Sequence, residues 1–90
     1  MTSEAFTIGL IQDHATSDVA ANVARAERLV RNAAAQGAQI ICLKELFNAP
    51  YFCKSLKQEY FNLAESIPGR TTEALCALAR ELEVVLIVPL

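Results

Sequence analysis

The apolar residues of the chain fall into short continuous runs and into stripes with helical spacing. Three runs cover residues 6–12, 38–43 and 84–88, and their apolar, β-branched composition predicts three buried strands. Between the first two runs, apolar residues recur in steps of four and three, which predicts an amphipathic helix. This first stripe consists of Val19, Val23, Ala26, Val30 and Ala33. A second stripe before the last run predicts another helix and consists of Leu75, Leu78, Ala79 and Leu82.

Polar residues and glycines mark the ends of these predicted helices. Thr16 or Ser17 is expected to cap the first helix, and Gly37 is expected to end it in the left-handed conformation. Thr71 or Thr72 is expected to cap the second helix. The resulting order, β-α-β-loop-α-β, predicts an α/β fold with a parallel sheet and right-handed crossovers.

The regions between these elements are more polar. Residues 55–65 mix charged and aromatic side chains and predict one or two helical turns, and residues 67–70 predict a turn.

Composition narrows the class of protein. The chain has 90 residues, of which 53% are apolar and 20% charged, and its net charge is −2. High hydrophobicity excludes a disordered chain, and the negative charge argues against nucleic acid or an anionic membrane as partner. No apolar run approaches the ~18 residues of a membrane span. The three cysteines form no CxxC motif, so they do not predict a metal site. Their odd number favours free thiols in a protein of the reducing cytoplasm.

The candidate for chemistry is Glu45, which follows the second predicted strand. Ligands of parallel sheets bind beyond the carboxyl ends of the strands, where this residue is expected to lie. Its neighbours Leu43, Leu46 and Phe47 are apolar, so partial desolvation would raise its pKa towards that of a general base. The alternative is a solvated acid paired with Lys44.

A second group of candidates follows in residues 51–53. Cys53 is a possible nucleophile beside Lys54, although its aromatic neighbours favour core packing. Tyr51 and Phe52 would line a pocket near Glu45 or pack as a lid. The remaining cysteines, Cys42 in a strand and Cys76 in a helix, are expected to be inert core residues.

Residues 38–53, with the sequence AQIICLKELFNAPYFC, resemble the first catalytic block of the nitrilase superfamily of carbon–nitrogen hydrolases. The flanks agree: residues 24–38 resemble the first helix and turn of the family, and residues 67–75 resemble the start of its second helix. The resemblance implies an α-β-β-α sandwich. Residues 1–90 would then be the incomplete N-terminal β-α-β-α-β portion of a single domain.

The resemblance also implies a Glu-Lys-Cys triad in which Glu45 is the general base and Tyr51 lines the substrate pocket. The family's lysine and cysteine lie beyond Leu90, so the 90-residue chain alone is expected to be inactive. Lys44 replaces the Gln or Pro usual before the glutamate, which puts a positive charge beside Glu45.

The family implies a small-molecule carbamoyl-amine or amide substrate and no cofactor or metal. It implies homo-oligomers of the full-length protein, whereas the expectation of no nucleic-acid or membrane partner rests on the charge and the lack of a long apolar run. The expected reaction converts carbamoylputrescine to putrescine, CO2 and ammonia, as in polyamine biosynthesis. Alternatives within the family act on a ureido acid, an aliphatic amide or a nitrile. The alternative from another class is a non-catalytic small α/β domain that binds a partner through its exposed sheet edge.

Overall fold

In the computed structural model, which describes residues 5–50 and 58–90, three short strands form one parallel sheet. The strands are β1 (Ile8–Leu10), β2 (Ile40–Cys42) and β3 (Val85–Ile87), in the spatial order β1-β2-β3. Their register places Gly9, Ile41 and Leu86 side by side. The predicted α/β class and parallel pairing are therefore confirmed.

The strands are shorter than the apolar runs that predicted them, but hydrogen bonds extend the pairing beyond their ends. Before the strands, the Gln39 N–H donates to the Thr7 carbonyl at 2.8 Å, and the Val85 N–H donates to the Gln39 carbonyl at 2.9 Å. After them, the Leu43 N–H donates to the Ile87 carbonyl at 3.1 Å. The three apolar runs thus lie side by side over most of their length.

Helix α1 (Val19–Ala35) begins at Val19, the first residue of the predicted apolar stripe. Its N-cap is Asp18, whose carboxylate accepts a hydrogen bond from the Ala21 N–H at 3.1 Å. The expectation that Thr16 or Ser17 caps this helix is wrong. An Asp carboxylate at this position satisfies a free N–H and also places negative charge at the positive end of the helix dipole.

Helix α2 (Arg70–Leu82) also has a different cap from the one predicted. Its N-cap is Gly69, so the expectation of Thr71 or Thr72 is wrong. The Thr72 hydroxyl reaches back instead, accepting from the Gly69 N–H at 2.7 Å and donating to the Gly69 carbonyl at 3.0 Å. A Cβ at Gly69 would lie 2.2 Å from the Ser66 carbonyl oxygen, so this tight turn requires glycine.

The predictions for three connecting segments are confirmed. Gly37 follows α1 with φ at 97°, the left-handed conformation expected of it. A 3-10 helix, Gln58–Leu63, lies within the region predicted to contain helical turns. The turn at residues 67–70 contains a cis Ile67–Pro68 peptide bond.

Both helices pack on one face of the sheet. Ile41 at the centre of β2 is completely buried, and so is Val30 of α1. Leu75 and Leu78 of α2 complete the same cluster. Successive crossovers of one hand place α1 and α2 on the same side, as the right-handed rule requires for strands in sequential order.

The opposite face of the sheet is uncovered in the described residues. Its outer positions on β1 and β3 are 50–78% exposed: Ile8, Leu10, Val85 and Ile87. Alternation along each strand explains the difference, because neighbouring side chains point to opposite faces. The expectation that all three strands are buried is therefore met on one face only. None of the helices in the described part of the chain is long and apolar enough to cross a membrane.

Candidate active site

Glu45 lies at the carboxyl end of the sheet, as predicted. It begins a turn over residues 45–48 that follows β2. The next residue, Leu46, has a positive φ of 52°, and its N–H donates to the Pro89 carbonyl at 3.0 Å. Because Pro89 follows β3, this bond ties the Glu45 turn to the end of the neighbouring strand.

The side chain of Glu45 is exposed, while Lys44 before it is half-buried. The expectation that apolar sequence neighbours partly desolvate Glu45 is wrong for the described residues. Phe47 turns inward and is 3% exposed, so it packs into the core and leaves the carboxylate outside. A turn after a strand sends successive side chains in different directions, which neighbourhood in the sequence does not reveal.

The rest of the turn is firmly seated. Phe47, Asn48 and Ala49 are all buried. The Ala49 N–H donates to the Leu46 carbonyl at 3.5 Å, which closes the turn. Glu45 is therefore exposed, whereas residues 47–49, which follow it in the same segment, are fixed in the protein interior.

A set of hydrogen-bonded side chains, which we call the polar network, surrounds this turn. It joins the loop after β1, helix α1, the turn after β2, the segment before α2 and the start of α2. Its members are Thr16, Asn22, Asn48, Glu65 and Thr71. Asn22, Asn48 and Thr71 are among the most buried polar residues of the chain. No buried side-chain nitrogen or oxygen atom of the described residues lacks a partner.

Asn22 connects α1 to the first half of the polar network. Its side-chain oxygen accepts from the Thr16 N–H at 2.8 Å and from the Thr16 hydroxyl at 2.9 Å. Its side-chain nitrogen donates to the Thr16 carbonyl at 2.7 Å and to the Asn48 carbonyl at 3.1 Å. One buried amide thus fixes the loop after β1 and the turn after β2 to the same helix.

Glu65 closes the other half of the polar network. Its carboxylate accepts from the Asn48 side-chain amide at 3.2 Å, from the Thr71 N–H at 3.1 Å and from the Thr71 hydroxyl at 2.6 Å. These contacts fix Asn48 on both of its sides, through its carbonyl and through its side chain. They also satisfy a free N–H in the first turn of α2.

The environment of Glu65 favours its charged form. The hydrogen bond from the Thr71 hydroxyl lowers the pKa of the Glu65 carboxyl, and it outweighs desolvation, which acts in the opposite direction. The Thr71 N–H, the positive charge of Arg70 and the Asn48 amide lower the pKa further. Glu65 is therefore a fixed anion of the polar network.

A small cleft of about 220 Å³ opens beside the Glu45 turn. Leu46 and Ala49 of the turn segment line it on one side, and Phe61 and Ile67 line it on another. Phe61 and Ile67 are themselves largely exposed. Asn48 and Glu65 supply the polar part of the wall, so the cleft and the polar network adjoin.

The other predicted candidates do not join Glu45 in the described residues. Tyr51 and Cys53 lie outside them, so the prediction that Tyr51 contacts substrate stays a prediction. Cys42 is half-buried at the end of β2, and its thiol donates to the Leu43 carbonyl at 3.4 Å. Cys76 is exposed, so its assignment to the core is wrong. The residues described hold no cluster of three potential metal ligands.

Sequence reasoning missed the polar network entirely. One signal was present, because Asn22 lies three residues after Val19 and four before Ala26, within the apolar stripe of α1. A polar side chain at such a position must find a buried partner. Its partners, however, come from segments that only the fold brings together.

Comparison with known proteins decides the family. The carbon–nitrogen hydrolase family model matches residues 7–90, nearly the whole chain. The chain belongs to the carbon–nitrogen hydrolase family. Its membership confirms the resemblance to the nitrilase superfamily, and the matched range runs from the start of the sheet through Glu45 to the end of β3.

Individual members of the carbon–nitrogen hydrolase family agree with this assignment. An N-carbamoylputrescine amidase of Solanum lycopersicum is 47% identical over 81 residues, which cover 89% of this chain and 27% of the relative. One from Arabidopsis thaliana is 42% identical over 80 residues, covering 88% of this chain and 27% of the relative. The omega-amidase NIT2 of Homo sapiens is 44% identical over 88 residues, which cover 97% of this chain and 29% of the relative. The chain thus spans less than a third of the length of these relatives.

Proposed function

We propose that this chain is the N-terminal portion of an amidohydrolase domain that converts N-carbamoylputrescine to putrescine, CO2 and ammonia with one water. The observation that carries the proposal is the identity of 42–47% to N-carbamoylputrescine amidases over nearly nine-tenths of the chain. The uncovered apolar face of the sheet supports a larger domain, because a sandwich would bury that face.

In this proposal Glu45 is the general base of a Glu-Lys-Cys triad whose lysine and cysteine follow residue 90. Glu45 takes the proton of the thiol, and the thiolate attacks the carbamoyl carbon. The lysine stabilises the negative oxygen of the tetrahedral intermediate. One of the two amines on that carbon, ammonia or putrescine, leaves with the proton that Glu45 took up, and a thiocarbamate remains on the cysteine. Water hydrolyses the thiocarbamate, and the carbamic acid that forms breaks down to CO2 and the other amine.

The placement of Glu45 suits this role. A general base must come within hydrogen-bond reach of the proton it removes. Glu45 is exposed at the carboxyl end of β2, beside the end of β3, where residues that follow β3 can approach it. We also propose that Tyr51, six positions further on, lines the pocket that receives the substrate.

A second candidate substrate is an ω-amide. The omega-amidase NIT2 proteins of several vertebrates are 39–44% identical to the chain. The same triad would hydrolyse an amide through an acyl thioester. The residue at the end of the pocket away from the triad would decide between the two substrates. An Asp or Glu there would favour the charged amine of N-carbamoylputrescine, and an Arg would favour an amide substrate that carries a carboxylate.

The experiment is an assay of the purified full-length protein with N-carbamoylputrescine and with an ω-amide, following ammonia release. Glu45→Gln should lower kcat at least about 100-fold, since general-base catalysis contributes roughly 10²–10⁴. Glu59→Gln removes a different exposed carboxylate, on the 3-10 helix, and should leave kcat within about twofold. Glu45→Gln activity within about twofold of wild type would remove Glu45 from the mechanism.

The compartment, the pathway and the oligomeric state of the enzyme are part of the same proposal. We propose a cytoplasmic enzyme of polyamine biosynthesis that assembles as a homo-oligomer. The cysteines support a reducing compartment, since Cys42 and Cys76 are free thiols. Light scattering of the full-length protein after gel filtration tests the oligomer, and a monomeric mass would contradict it.

A further inference from the structure

Building on the proposed role of Glu45, we propose that Asn48 and Glu65 are positioning residues that hold the Glu45 carboxylate in its catalytic place. Neither needs to touch the substrate. Both would act through the backbone of the turn at residues 45–48. The polar network would then determine the turnover rate as well as the stability of the fold.

The position of Glu45 is set by the backbone of its turn. Its side chain is exposed, so packing of the side chain in the described residues does not hold it. Its position therefore depends on the backbone of its turn. Leu46 is held by the Pro89 carbonyl on one side of that turn, and the buried Phe47 anchors its middle.

The far end of the turn is held by side-chain hydrogen bonds. Asn48 closes it and is held from two directions by different elements. The Asn22 amide of α1 donates to its carbonyl at 3.1 Å, and its own amide donates to Glu65 at 3.2 Å. Glu65 is itself held by two hydrogen bonds from Thr71 at the start of α2. Movement of Asn48 is thus resisted by both helices.

Loss of one member of the polar network would release Asn48. Without the carboxylate of Glu65, the buried amide of Asn48 loses its acceptor, and a buried donor without a partner is costly. The turn would then shift to recover a hydrogen bond. Glu45 is only three residues away and would move with it. Misplacement of a catalytic group by about 1 Å can cost roughly 100-fold in rate.

The experiment uses the full-length amidohydrolase and compares two kinds of variant. Asn48→Ala and Glu65→Ala each break the hydrogen bond between Asn48 and residue 65, because alanine has no side-chain donor or acceptor. In this proposal both residues act through the position of Glu45 and not through substrate binding, so each variant should lower kcat about tenfold or more while KM stays within about twofold. Two variants on different elements keep the test decisive if one of them does not fold.

The matched control is Thr72→Ala. It removes the hydroxyl that bridges Gly69 at the start of α2, so it weakens the same helix end without touching Asn48. It should lower Tm and leave kcat unchanged. If kcat falls in proportion to Tm across all three variants, the polar network is only structural and the proposal is overturned.

A double variant separates positioning from a general loss of activity. Because Asn48 acts through Glu45, adding Asn48→Ala to Glu45→Gln should not lower the residual kcat further. A second loss of the same size would show that Asn48 acts on something else and would overturn the proposal. An inactive Glu45→Gln with a fully active Asn48→Ala would overturn positioning alone. An active Glu45→Gln would instead overturn the proposed function.

Discussion

Leu10→Ala tests whether the uncovered face of the sheet is a buried surface in the full-length protein. Leu10 is 78% exposed in the described residues, so most of the stabilisation from burying this side chain is not yet realised. Full burial of a leucine contributes about 1.5–3 kcal/mol. Truncation to alanine in a packed core adds the cost of a cavity, which brings Leu→Ala losses to about 2.7–5 kcal/mol. We therefore expect Leu10→Ala to cost the full-length protein about 2–4 kcal/mol.

The assay is urea unfolding of the full-length protein, with the free energy of unfolding compared at equal m-values. Ile41→Ala is the positive control, because Ile41 is already completely buried against the helices. It should cost about 2–5 kcal/mol. A loss below about 0.5 kcal/mol for Leu10→Ala, with the expected loss for Ile41→Ala, would refute the reasoning. The sheet face would then be exposed in the full-length protein too, as in a non-catalytic domain that binds a partner.

Two further predictions concern stability. Because hydrogen bonds from Thr71 lower the pKa of Glu65 in the folded state, the stabilisation by Glu65 is complete above its unfolded pKa and is lost as the pH falls through its folded pKa. Unfolding followed from pH 7 down to about 3 should show a shallower loss of stability for Glu65→Gln than for wild type, and equal slopes would contradict this. Gly37→Ala should cost about 1–2 kcal/mol in a thermal melt, because φ is 97° in open space and the penalty is purely conformational. Gly37→Asn should recover part of that loss, and an Asn variant less stable than the Ala variant would argue against a conformational cause.

The architecture follows from the sequence because it depends on periodic patterns. The three apolar runs and the two stripes place the strands and helices correctly, and right-handed crossovers put both helices on one face. The left-handed conformation of Gly37 was also predicted from local sequence alone, namely from a glycine that follows the last apolar residues of a helix. Local patterns are sufficient where each element is decided by its own residues.

The helix caps show where local patterns fail. Thr16, Thr71 and Thr72 all have suitable hydroxyls, but the first two are engaged by the polar network and the third bridges back to Gly69. Residues of similar capping propensity compete, and tertiary partners decide between them. The exposure of Glu45 was not predicted for the same reason, since the direction of its side chain depends on the tertiary contacts that hold the turn.

The placement of the candidate base followed from the end of a strand, whereas its support did not. Asn22, Asn48 and Glu65 are separated by 26 and 17 residues along the chain and meet only in the fold. A polar residue within an apolar stripe indicates that it has a buried partner, but it does not identify that partner. The sequence therefore predicts the candidate base more readily than the residues that hold its turn.

The two glutamates at this end of the sheet differ in what they can do chemically. Glu65 accepts three hydrogen bonds, and its pKa is lowered by them, so it gives up its proton readily and takes one up poorly. A general base works best when its pKa lies near the working pH. Glu65 is thus unsuited to accept the proton of a thiol, although it is well suited to hold Asn48. The same bonds that make Glu65 a poor proton acceptor support the turn that carries Glu45, the candidate base.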